Sequence, residues 1–150
     1  MKKTSGITII EFTITSSFLM LVLLSIVSLG YFMYSMQAVN DAVRTAARMA
    51  SVCQISDSGI KDYVSNNSYV SIIENENIEI DYLDESGTVL AAPSSEDVRF
   101  VRAKAVDLDF QFISLLSFLG DSGLIEFASF ETVIPSESLG LVPDGTDTDC

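Results

Sequence analysis

Few residues of this 150-residue chain could do chemistry, and their types narrow the possibilities at once. There is no histidine, so neither a Ser-His or Cys-His nucleophile pair nor a zinc site of imidazole type can be built. No phosphate loop of the G-x-x-x-x-G-K form occurs. Lys61 and Lys104 could each serve a serine as base, but nothing around them singles them out. Asp144, Asp147 and Asp149 crowd around Gly145, and calcium favours such oxygens. The EF-hand spacing is not met and no bidentate glutamate follows, so this segment reads as a solvated acidic tail. The chain is therefore read as not an enzyme, with no cofactor and no metal. What remains is Glu11, five residues after Gly6 and directly before Phe12, and the two cysteines, Cys53 and Cys150.

Glu11 is chemically out of place. It stands at the head of an apolar, charge-free run that extends past Met36. At about 1.5 Å per residue, such a run crosses a bilayer core of about 30 Å with residues to spare. A carboxylate drawn into a membrane span costs on the order of 2–3 kcal/mol or more, so a residue of this kind has a partner, has a task, or sits at the headgroups. The leader before it carries Lys2 and Lys3, and the chain beyond the span is acidic. The positive-inside rule then places the leader in the cytoplasm and the remainder outside it. No A-x-A pattern follows the apolar core, so the span reads as a retained anchor rather than a cleaved signal.

Gly6, four residues, then Glu11 and Phe12 resembles the processing site of type IV pilin-like proteins. Glycine there is last in the leader, and glutamate is fifth in the mature chain. The aromatic after the glutamate resembles the Tad (tight adherence) branch. The following N-D-A-V-R-T-A-A-R-M-A, residues 40–50, is similar to the TadE-like family of Tad pilus pseudopilins. The resemblance covers about the first third of the chain. It implies a minor pilin or pseudopilin cut by a prepilin peptidase between Gly6 and Ile7. Glu11, with Phe12 beside it, would then serve subunit assembly by meeting the new N-terminal amine of a neighbouring subunit. The partners so implied are the prepilin peptidase, the major pilin, other minor pilins and the inner-membrane assembly platform, and the implied output is adhesion or biofilm formation. The competing reading is a signal-anchored extracytoplasmic binding or sensor module that keeps its leader.

The charge balance excludes one further class. Eight basic residues stand against 21 acidic ones, a net charge of −13, and loss of Lys2 and Lys3 with the leader takes the side-chain sum to −15. Such a surface repels phosphates, so no nucleic acid partner is expected. Both cysteines fall in the exported part, where disulfides persist. A Cys53–Cys150 bridge is the simplest even-count reading, with two free thiols, or pairing of Cys150 with another chain, as the competing ones.

These residues require elements to hold them. Residues 1–6 read as a leader, 7–36 as the membrane part of a long helix, and 37–150 as an extracytoplasmic head with an acidic tail. Helical periodicity continues past the span: Val39, Ala42, Val43, Ala46, Ala47 and Ala50 form a small apolar face, with Asp41, Arg44 and Arg48 opposite. Asp57 or Ser58 caps a short second helix through Ile60 and Val64, which ends at Asn66-Asn67. Strands are expected at 69–73, 78–83, 88–92, 98–110 and 124–134, with a hairpin turn over 84–87. Within 98–110 the alternation changes phase near Ala105, which requires a bulge or bend. Residues 112–119 form a short apolar piece. The expected fold is α+β: a long N-terminal transmembrane helix running into a small head whose antiparallel sheet packs on that helix. The serines and threonines of the span either mediate close helix contacts or bond back to their own helix.

Overall fold

A computed structural model describes residues 5–112, 124–127, 129–142 and 150. The first element is one helix, α1 (Ser5–Val52), followed by α2 (Ser58–Asn67) and a 3₁₀ turn at Asn75–Asn77. Five strands follow: β1 (Ile78–Leu83), β2 (Phe100–Ala105), β3 (Asp109–Gln111), β4 (Leu124–Glu126) and β5 (Glu131–Pro135). The fold is thus α+β, as the sequence implies. The chain divides into two units, Met1–Tyr34 with Phe110–Ile125, and Ser35–Asp109 with Glu126–Cys150.

In the first unit α1 carries no buried side chain from residue 7 to residue 27. Those residues span about 31 Å at the helical rise, enough for a bilayer core. Near its end Phe32 meets Phe110 and Phe112 with ring centroids 5.1 and 5.5 Å apart, and Tyr31 meets Phe110 at 5.6 Å. Phe110 and Phe112 meet each other edge-on at 5.0 Å, a spacing at which aromatic pairs add to plain area burial.

In the second unit the small face of α1 is buried as its periodicity requires. Val39, Ala42, Val43, Ala46, Ala47 and Ala50 are all inside, and Asp41, Arg44 and Arg48 are exposed. Alanine side chains let the sheet approach the helix closely, so Ala50 shares one cluster with Cys53, Ile60, Tyr82, Val98, Val101 and Leu139. The sheet is antiparallel with strand order β1-β2-β5. Inward from β2 point Val101, Ala103 and Ala105. On the opposite face Asp81 stands across from Arg102 and Glu79 across from Lys104, in ion pairs of 2.7 and 3.2 Å. Both Arg102 Nε and Nη2 donate to one Asp81 oxygen, and this bonding raises the already high pKa of the guanidinium.

The expected phase change is a break. β2 ends at Ala105, Asp107 adopts φ 51°, and burial resumes at Leu108 and Phe110 with shifted parity. The Asn77 side-chain amide donates to the Val106 and Asp107 carbonyls at 3.2 and 3.1 Å, which satisfies the backbone that the break leaves open.

Three expected strands differ. Residues 69–73 form turns, because Val70 and Ile73 are buried three apart while Tyr69 and Ser71 face solvent, and a strand requires a period of two. Residues 88–92 add only a single bridge, Leu83↔Val89. The turn before them does form, with Asp84 Oδ1 accepting from the Ser86 and Thr88 amides, but Ala91 and Ala92 are exposed with little to pack, and Pro93 follows. Residues 124–134 divide into β4 and β5, and Phe127 between them is buried. Of the apolar piece at 112–119, residues 113–119 lie outside the described residues.

Candidate functional site

Two places gather the residues singled out above. The first is the start of α1. The helix begins at Ser5, so the Gly6–Ile7 bond lies in its first turn, where the amides lack helical partners. Ile7, Glu11 and Phe12 are exposed, with Phe12 at 74%. Among the described residues the Glu11 carboxylate has no cationic partner. Thr13, Thr15 and Ser25 hydroxyls each donate to the carbonyl four residues back, at 2.8 Å. For these three, the hydroxyl bonds to its own helix. Exposed apolar side chains surround the carboxylate on all sides of the helix: Ile7, Ile9, Ile10, Phe12 and Ile14. Such a surface is apolar all round and suits lipid or a bundle of like helices.

The second place is the far end of α1. Cys53 and Cys150 form a disulfide across a sequence separation of 97, with Cα atoms 5.8 Å apart. Asp57 is the N-cap of α2, its Oδ1 accepting from the Gly59 amide at 2.8 Å. Its other oxygen, Oδ2, accepts from the Cys150 amide at 2.7 Å. These two amides, that of Cys150 foremost, hold the Asp57 carboxyl below its ordinary pKa. The neighbouring Tyr82 hydroxyl accepts from the Ser56 amide at 3.0 Å, and burial pushes its phenol up.

A strap over residues 136–140 closes the same end. The Glu137 and Leu139 amides donate to the Ser51 carbonyl, and the Gly140 amide donates to the Val52 carbonyl at 2.7 Å. The last carbonyls of α1, which a helix end leaves unpaired, are thereby satisfied by chain nearly ninety residues later. Gly140 makes this possible with φ +80° and with the Gln54 backbone so close that a Cβ would lie 2.8 Å from its Cα.

Sequence reasoning singled out Gly6, Ile7, Glu11, Phe12 and both cysteines, of which the cysteines are joined, but it missed the strap and the second role of Asp57. The only signal for the strap is Leu139-Gly140 after a strand-ending Pro135, a pattern too short to distinguish from an ordinary turn. Among the described residues no group of histidine, cysteine, aspartate or glutamate side chains could hold a metal ion. The residues of the acidic tail at 144–149, with Lys2 and Lys3, lie outside the described residues.

Residues 6–48 match the family model described as TadE-like protein. This segment is similar to that family; it holds Gly6, Glu11 and Phe12, and the sheet, both cysteines and the strap lie outside the match. No curated protein and no solved structure matches the chain.

Proposed function

We propose that this chain is a minor pilin or pseudopilin of a Tad-type pilus, anchored by α1 as a single-pass inner-membrane protein with an extracytoplasmic head. One observation carries the reading. The TadE-like match spans the Gly6–Glu11–Phe12 pattern, and that pattern stands at the head of a helix with no buried side chain from residue 7 to residue 27. A prepilin peptidase cuts between Gly6 and Ile7. Glu11 then pairs with the freed amine of an adjacent subunit, which removes the cost of an isolated carboxylate in lipid. Filament growth transfers α1 from the bilayer into a bundle of helices formed with the major pilin and other minor pilins on the assembly platform. The short Ala-rich face that binds the head lies further along the same helix, so extraction of the span need not disturb the head. Adhesion or biofilm formation is the output.

N-terminal sequencing of the membrane-extracted protein tests the cut: it should begin at Ile7 in cells that hold a prepilin peptidase. A mature chain that still begins at Met1 or Lys2 in those cells rejects the reading and favours a signal-anchored sensor.

A further inference from the structure

A groove of about 390 Å³ opens on the second unit beside the charged face of α1. Ala38, Asp41, Ala42 and Thr45 supply its helical wall, and Tyr63, Val64 and Tyr69 are among the residues opposite. Both tyrosines are solvent-exposed, and among the described residues no basic side chain lines the groove. Among the described residues Asp41 forms no ion pair, although Arg44 and Arg48 stand on the same helix, and both arginines are exposed and likewise without an ion pair. Asp41 and Arg44 stand three residues apart, close enough on a helix to pair, yet among the described residues no bond joins them. At about 100° per residue, Thr45, Ala38 and Ala42 lie roughly 40–100° to one side of Asp41, whereas Arg48 and Arg44 lie roughly 20–60° to the other. One flank of α1 thus presents an acidic, aromatic concavity, and the other flank presents two guanidinium groups. Tyrosine faces and a carboxylate together suit a guanidinium, by charge and by cation–π attraction.

From this complementarity we infer that the occupant of the groove is the Arg44–Arg48 stripe of a second copy of this chain. The contact is heterologous: the basic flank of one copy enters the acidic groove of the next, and each copy keeps one unused flank of each kind. Parallel α1 helices reach this arrangement by an axial offset of about 4.5 Å for Arg44 or about 10 Å for Arg48, since three or seven residues separate them from Asp41. An open-ended side-to-side contact of this kind extends a row of membrane-anchored subunits. The inference deepens the filament reading above and rests on it for its biological use, but the contact itself requires neither processing nor pilus.

The test is sedimentation equilibrium of the full-length chain in a neutral detergent, with four samples compared. The wild type should self-associate and should weaken as salt rises from about 0.05 to 0.5 M, because exposed charges are screened over that range. Asp41→Arg alone, and Arg44→Asp with Arg48→Asp, should each weaken association about fivefold or more, as like charges then face one another. Mixing these two variants should restore association to within about twofold of wild type, since the arginines of one then meet the aspartate of the other. Equal association in all samples overturns the inference, as does a mixture no tighter than its separate components. The filament reading is judged separately, by the mature N-terminus and by incorporation into pili. An uncut chain absent from pili but showing the rescue on mixing removes the filament reading and leaves the contact standing. A cut and incorporated chain that ignores the charge reversals does the opposite.

Discussion

Asp57 accepts the backbone amide of Cys150 at 2.7 Å, so the residue joined covalently to Cys53 is held a second time by a carboxylate four positions after that cysteine. The same carboxylate caps α2 through Gly59. One side chain therefore couples the closure of the chain to the start of a helix, and the coupling depends on its charge.

The pH dependence of that coupling has a definite sign. Asp57 is depressed below its ordinary value of 3.8 by the Cys150 and Gly59 amides, so its contribution is complete above the unfolded pKa and is lost as pH falls through the lower folded one. Asp84 is depressed in the same direction, by the Ser86 hydroxyl and then by the Thr88 amide. Thermal melts of the oxidised protein should therefore lose stability as pH drops through and below the ordinary aspartate range. Asp57→Asn should shrink that acid-side slope without abolishing it, because Asp84 remains. An unchanged slope would refute the assignment to Asp57.

Removal of the disulfide should cost more than any single surface contact. Replacing both cysteines with serine should lower unfolding stability by about 2–5 kcal/mol, the usual range for a native bridge that closes a long loop. Chemical denaturation of the detergent-solubilised chain, with and without reductant, measures it. Alkylation before reduction should label neither cysteine in the wild type.

Gly140 and Gly87 both adopt positive φ, +80° and +82°, but only Gly140 is crowded, with Gln54 backbone atoms 2.8 and 2.9 Å from the position of a Cβ. Alanine at Gly87 should cost on the order of 1 kcal/mol, for the conformation alone. Alanine at Gly140 should cost more, because the strap must also lift from the end of α1. Comparing denaturation midpoints of the two variants checks the order, and equal losses would show that the strap yields freely.

Ile60 has no exposed surface and lies in the cluster with Cys53 and Tyr82, so Ile60→Ala should cost about 2–5 kcal/mol. Val133 on β5 is 47% exposed, and Val133→Ala should stay within about 0.5 kcal/mol, the ordinary range for a surface change. Urea unfolding of the two variants decides whether α2 is part of the cooperative core or merely attached to it.

The elements that could be read from the sequence are those with a strong period. The alanine face of α1, the alternation of β1 and the parity shift after Ala105 follow from residue types alone, because one face must be buried and the other must not. Residues 69–73 and 88–92 misled because β-branched and aromatic residues invite strands whether or not an edge is available to pair with. Asn77 reads as loop filler, yet its amide satisfies two carbonyls thirty residues away, a role no local pattern can signal. At the candidate site the same division holds. Gly6, Glu11 and Phe12 can be singled out because their spacing is local, whereas the Asp57–Cys150 bond joins positions 93 residues apart.

The Cys53–Cys150 bridge also fixes how the molecule bears tension. Cys53 follows α1 by one residue, so a pull between the anchor and anything attached at Cys150 runs through the helix, the sulfur bond and out again. All five strands lie in the segment this covalent path bypasses. Mechanically, the sheet is wired in parallel with the load, and its hydrogen bonds need not carry the force that the anchor transmits.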